Sequence, residues 1–324
     1  MIPWSRRRLL GAGAVMLASP AVLRAAPLQL RIGHGLPIFH PVHGAMVQFA
    51  DAVRRNSGGE IDIEIFPDGQ IGHEVNLLAQ VQAGKLDFLK VSASVLEAIA
   101  PAYRVLSLPF VFRDRDHWLR VTADAVGEDI LASGASIGLV GLTYYDAGSR
   151  SFYGRKAIHH PDDLKGMKIR IQPSPTMARL MQVLGAEGVE MGWDQVYTAL
   201  KLGLVDGAEN SVSALIVGRH GEVVTHYSTN EHTMVPDVFL VSTARWQSFT
   251  QAQQRIIREA ATVSHHHMNT EWLAFEQMTR DVLTRMGVIF VQPDKAAFAE
   301  KAAALTADLA DGRTADLLRR IARS

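Results

Sequence analysis

From Thr250 to Met286 the chain runs with few helix breakers, a pattern that predicts one continuous helix. At about 1.5 Å per residue such a helix spans on the order of 50 Å, more than a single compact lobe offers. It must therefore bridge two. The length of the chain, 324 residues, agrees, because single hydrophobic cores stop growing near roughly 250–300 residues.

Upstream, strands and helices alternate. Leu28–Ile32 alternates apolar and polar residues as a strand does, and Ala45, Phe49 and Val53 share one face of a helix expected over Pro41–Arg55. Ile61, Ile63 and Ile65 mark a second strand, Glu74–Gln82 a helix closed by Gly84, and Leu86–Val91 a third strand. A rhythm of this kind predicts an α/β lobe with crossover helices and a ligand at the strand ends. Further on, Asp116–Ser133 reads as a helix, Ile137–Tyr145 as a strand and Lys168–Ile171 as a short buried strand. Helices over Pro175–Leu184 and Asp194–Leu202, a returning strand at Phe239–Thr243 and terminal helices within Lys295–Arg323 complete the pattern.

Residues 1–25 read as a secretory leader, with Arg6, Arg7 and Arg8, an apolar run from Leu9 to Ala21, and small residues at Ala25 and Ala26. The paired arginines before apolar residues fit a twin-arginine route. No later stretch is long and apolar enough to predict a membrane span. Four of the 33 basic residues lie in the leader and no acids do, so 29 remain against 33 acids, a net charge of about −4. That balance offers no broad basic field for nucleic acid or lipid, and attraction for an anion must be local. With no cysteine, disulfides and thiolate sites are excluded.

Two arginines stand beside short apolar runs: Arg150 after Gly148, and Arg170 inside Lys168–Ile171. A buried arginine needs an anion, either an internal acid or a ligand. Of thirteen histidines, His265, His266 and His267 are consecutive in a predicted helix, point about 100° apart and cannot share one ion; they read as a solvated face. His40 and His43 lack a third ligand and read as flanking a cleft entrance, with His34 the better contact candidate. No metal site or cofactor is expected. Nucleophile elbow, P-loop and dinucleotide fingerprint are all missing from the sequence, so no enzymatic activity is expected. The rival reading is a lyase or isomerase acting on sugar acids, with Arg170 binding substrate and Glu74 or a histidine as base.

Several ordered blocks carry a family resemblance. They are F-P-D-G-Q-I-G (Phe66–Gly72), Q-A-G-K-L-D (Gln82–Asp87), L-P-F-V-F-R-D (Leu108–Asp114), Tyr145 with Gly148 and Arg150, Asp163–Arg170, Trp193–Leu200 and Val205–Asn210. In these the chain resembles the DctP-type solute-binding proteins of TRAP transporters. The resemblance implies a two-lobed α/β periplasmic receptor with central mixed sheets, hinge strands and the long helix as a shared spine. Lobe I is expected over 26–146 plus about 236–275, and lobe II over 147–235 plus about 276–324. It also implies a monomer that hands a small carboxylate to membrane permease subunits, with neither nucleic acid nor a membrane span of its own.

Arg170 is the expected carboxylate clamp, its planar fork matching both oxygens, with Arg150 on the same carboxylate. Trp193 supplies an apolar wall, and Asn210, Glu74, Ser92, Tyr153 and Asp237 are hydroxyl partners. Some sialic-acid-binding relatives carry a glutamate at the position of Ser92, which argues against a bulky amino sugar held by that contact. A hexuronate is favoured, with a C4-dicarboxylate or 2-oxo acid as the alternative.

Overall fold

The computed structural model describes residues 26–324; the expected leader lies outside the described residues. In chain order the strands are β1 (Leu28–Gly33), β2 (Ile61–Phe66), β3 (Phe88–Ser92), β4 (Leu139–Tyr145), β5 (Arg150–Gly154) and β6 (Lys168–Ile171). They continue as β7 (Glu187–Glu190), β8 (Gly207–Asn210), β9 (His226–Thr233), β10 (Asp237–Ser242) and β11 (Ile289–Val291). Two mixed sheets result, one ordered β2-β1-β3-β10-β4 and the other β11-β9-β5-β8-β6-β7. In the first, β1 lies parallel to β2 and β3, while β10 runs antiparallel between β3 and β4. In the second, β5 is antiparallel to β8 and β9, and β6 is parallel to β7 and β8. This is the two-lobed mixed α/β arrangement expected from the sequence.

The chain passes between the sheets at β4–β5, at β9–β10 and along the helix Gln251–Arg285. That helix starts where Thr250 and Gln253 cap each other reciprocally, each side chain meeting the other's backbone N–H. Its buried residues recur every three or four positions, so one stripe faces protein along the whole length. Ile257, Met268, Trp272 and Phe275 pack beneath the first sheet, whereas Leu283 reaches the core around Tyr153, Leu200 and Tyr227 beneath the second. The bridging role follows.

At the β4–β5 passage, Asp146 accepts the Gly148 N–H at 2.8 Å and the Arg115 Nε–H at 2.5 Å. Gly148 is required twice over there: its φ is +74°, and a Cβ would lie 2.9 Å from Cζ2 of Trp272.

Two expectations need correction. The helix expected over Asp116–Ser133 is two, Arg115–Ala123 and Ala125–Ala132, because Asp124 adopts an extended backbone and caps the second with its own carboxylate. The terminal segment does not stay with the second sheet. The helix Lys295–Leu309 packs there through Phe298, Ala302 and Leu305, but the helix Gly312–Arg323 inserts Leu317 and Ile321 among Tyr103, Trp118 and Ile130 of the first.

Candidate functional site

Strand register places the cationic half of the site. Residues 151 and 210 are partners across β5 and β8, and residues 170 and 208 across β8 and β6, so Arg150, Asn210 and Arg170 gather at neighbouring strands. They line one wall of a cleft of about 340 Å³, within the usual range for small-molecule sites of roughly 300–1,000 Å³.

The two arginines differ in kind. Arg150 is neutralised within the protein: Nε donates to Glu209 Oε2 at 2.6 Å, Nη2 to Glu209 Oε1 at 2.7 Å and to its carbonyl at 2.8 Å, and Nη1 to Asn210 Oδ1 at 2.9 Å. Burial alone would raise the Glu209 carboxyl, but Arg150 and then His232 hold it at about 2. Four of the five guanidinium N–H groups of Arg150 are thus engaged, leaving one on Nη1 for the cleft. Arg170 has no such acid. Its Nε and Nη2 both donate to the Met191 carbonyl, at 3.1 and 2.7 Å, and Nη1 is buried without a partner. At 2% exposure this is a desolvated positive charge with no acid at ion-pair distance among the described residues, and burial depresses its pKa.

The opposite wall comes from the first sheet. Lys90 on β3 lies 2.8 Å from Glu74, at the start of the helix Glu74–Gln82, and 3.1 Å from Asp237 on β10. Burial opposes charge on Lys90, yet Asp237 and Glu74 together raise its pKa above the ordinary lysine value. One ammonium between two carboxylates leaves the trio with a net charge of −1 when both acids are ionised. Burial is the main reason that the Asp237 carboxyl is pushed up, and Glu74 adds to it. The cleft is therefore polarised, with uncompensated positive charge at Arg170 and an excess of acceptors at the trio.

Trp193, opening its helix, and Trp272, from the bridging helix, supply aromatic walls. Ser92 donates from Oγ to Gln172 Oε1 across the cleft at 3.3 Å, and its N–H points to Glu74 Oε1 at the same distance.

A family model described as "Bacterial extracellular solute-binding protein, family 7" (DctP) matches residues 32–312. The chain belongs to this family. Its structure is similar to that of a TRAP periplasmic solute-binding protein from Xanthobacter autotrophicus Py2 solved with β-D-galacturonate. The TM-score is 0.88 at 38% identity, over 90% of this chain and 99% of the other. A second such protein, from Anaerococcus prevotii and solved with D-glucuronate, gives a TM-score of 0.90 at 31% identity over 91% and 97%. The protein YiiZ of Salmonella typhimurium is 38% identical over 263 residues, 80% of each chain. Among the described residues of this family 7 receptor, no helix is long and apolar enough to cross a membrane.

Of the residues singled out from sequence, Arg170, Arg150, Asn210, Trp193, Glu74, Ser92 and Asp237 line the cleft. Tyr153 and His34 do not. Tyr153 points into the core beside Tyr227, and its hydroxyl is held by His220 Nδ1 at 2.9 Å. His34 is buried with both nitrogens used: Nδ1 accepts from the Leu36 N–H at 3.3 Å, so Nε2 donates to His43 Nδ1 at 3.2 Å. Burial lowers its pKa to about 3. His265 is not on a solvated face either, since Nδ1 donates to the Tyr144 carbonyl at 2.7 Å. Sequence reasoning missed Lys90, Gln172 and Trp272 in the cleft wall, and placed His40 at the cleft entrance but ranked it below His34 as a contact. For Lys90 a signal existed: a lysine centred in F-L-K-V-S, a fully buried strand, requires acidic partners.

Proposed function

We propose that this family 7 receptor captures a hexuronate, such as galacturonate or glucuronate, in the periplasm and passes it unchanged to TRAP permease subunits. The observation that carries the reading is Arg170, a buried guanidinium in the cleft wall whose Nη1 has no partner and which has no acid at ion-pair distance among the described residues. A ligand carboxylate supplies the missing charge, with the spare N–H of Arg150 as a second donor to it. Hydroxyls then meet Glu74, Asp237, Asn210 and Ser92, and the apolar face of a sugar ring meets Trp193. The bound uronates of the two structural neighbours support the same class.

Charge decides against a dicarboxylate. Arg150 is cancelled by Glu209, so the cleft holds one uncompensated cation, and a second carboxylate would face the negative trio. Two like charges about 4 Å apart repel by roughly 4 kcal/mol at an effective dielectric of 20. Ligand contacts drawn from both lobes favour the closed arrangement through their differential affinity. In this reading the protein works as a monomer, exported by its leader, with lobes divided near Asp146 and Pro236. A thermal-shift screen tests it: saturating galacturonate or glucuronate should raise Tm by several degrees while succinate and malate leave it unmoved. The reverse pattern would overturn the assignment.

A further inference from the structure

His40 caps the helix Pro41–Asn56, and its Nδ1 accepts the Val42 N–H at 3.2 Å. An accepting Nδ1 carries no proton, so in the neutral ring the hydrogen must sit on Nε2. That nitrogen bonds no atom of the described residues, yet it is not among the side-chain atoms sealed from solvent without a partner. His40 is 4% exposed as a residue and lines the cleft, so the space open to Nε2 is the cleft. Phe275 meets the ring edge-on with centroids 5.1 Å apart, and Trp272 lies tilted at 5.9 Å, which leaves little room to rotate.

We infer that His40 is a specificity-determining residue, presenting a fixed, uncharged Nε2–H donor to an acceptor oxygen of the bound ligand, a hydroxyl or ring oxygen rather than a carboxylate. The inference rests on the hexuronate reading for the nature of that acceptor. It complements the site described above, where the first-sheet wall contributes acceptors through Glu74 and Asp237. With a neutral donor added there, a hydroxyl can donate to the trio and accept from His40 at once, which a carboxylate cannot do. Burial, with Lys90 and His34 nearby, holds the ring pKa well below the ordinary histidine value, so the donor stays uncharged.

Two variants separate the donor from the cap. His40→Asn keeps a good capping acceptor but is too short to place a donor at the Nε2 position. It should stay folded, melting lower than wild type for the lost ring packing, and lose about tenfold in galacturonate affinity by calorimetry, the worth of one buried neutral hydrogen bond. His40→Gln, whose amide reaches further, should bind within about threefold of wild type. Full affinity in His40→Asn overturns the inference and leaves the hexuronate reading standing. If the wild type ignores both uronates, that reading falls. The ¹⁵N-histidine spectrum at pH 7 then decides the inference without a ligand: the signals lost in His40→Asn should show Nε2 protonated, and a protonated Nδ1 would overturn it.

Discussion

Arg150 and Arg170 look alike in the sequence and differ in the one respect that determines their roles. Glu209 is the reason: as the residue before Asn210 on β8 it sits close enough to engage Arg150 through both carboxylate oxygens, whereas β6 brings Arg170 only the Met191 carbonyl. Removing Arg170 would leave a ligand carboxylate desolvated and unpaired, so Arg170→Ala should lose about 3–5 kcal/mol of binding free energy. Arg170→Lys should recover little, because a point charge does not reproduce the fork. Calorimetric affinities within threefold of wild type would remove Arg170 from the site. Arg150→Ala has a different expected signature: it leaves Glu209 buried with only His232 near its carboxylate, at 3.4 Å, so it should lower stability as well as affinity.

At the scale of elements, the passage from β4 to β5 is the most constrained. Gly148→Ala adds a left-handed backbone penalty and a contact with Trp272, a ring already packed against His40 and Phe275. Gly138 also has a positive φ, +79°, but a Cβ there meets nothing within 4 Å. Gly138→Ala should therefore cost about 1 kcal/mol and Gly148→Ala about 2 or more in urea unfolding, with only the latter weakening ligand binding. Equal costs would mean that the Trp272 contact is relieved by a small shift. What was legible in the sequence at this scale was whatever local pattern determines. Helix Glu74–Gln82 and strand Lys168–Ile171 were expected with the boundaries observed, because Gly84, Gly166 and Pro173 punctuate them. Partner choice was not legible. The amphipathic face of Gly312–Arg323 says that it packs, not against which sheet, and Lys90 finds its acids 16 residues before and 147 after it. His34 and His40 were ranked wrongly for a similar reason: burial and ring orientation depend on how the loop before Pro41 folds over the first sheet.

For the whole molecule, buried neutral histidines set the acid side of stability. His34 and His220 are both lowered to about 3, in each case chiefly by burial, and His40, His232 and His265 are lowered too. Between that value and the ordinary 6.5 the unfolded chain binds the proton and the folded one does not, so stability rises with pH across this window and is lost as pH falls. Each of the two should cost about 2 kcal/mol between pH 7 and pH 5. Asp237, raised by burial, acts with the opposite sign but is one group against several. Glu209 adds its own loss below about pH 4.5. Tm should fall steadily from pH 7 to pH 5, and a flat profile would mean that these rings gain protons without unfolding. The central claim concerns charge in the cleft: one uncompensated cation facing one excess acid. It is tested most directly by titrating the protein calorimetrically with galactose, galacturonate and galactarate, which carry no, one and two carboxylates on the same carbon skeleton. Tight binding of galacturonate alone, weaker by a hundredfold or more for the other two, is the predicted result; galactarate or galactose binding as tightly as galacturonate would contradict it.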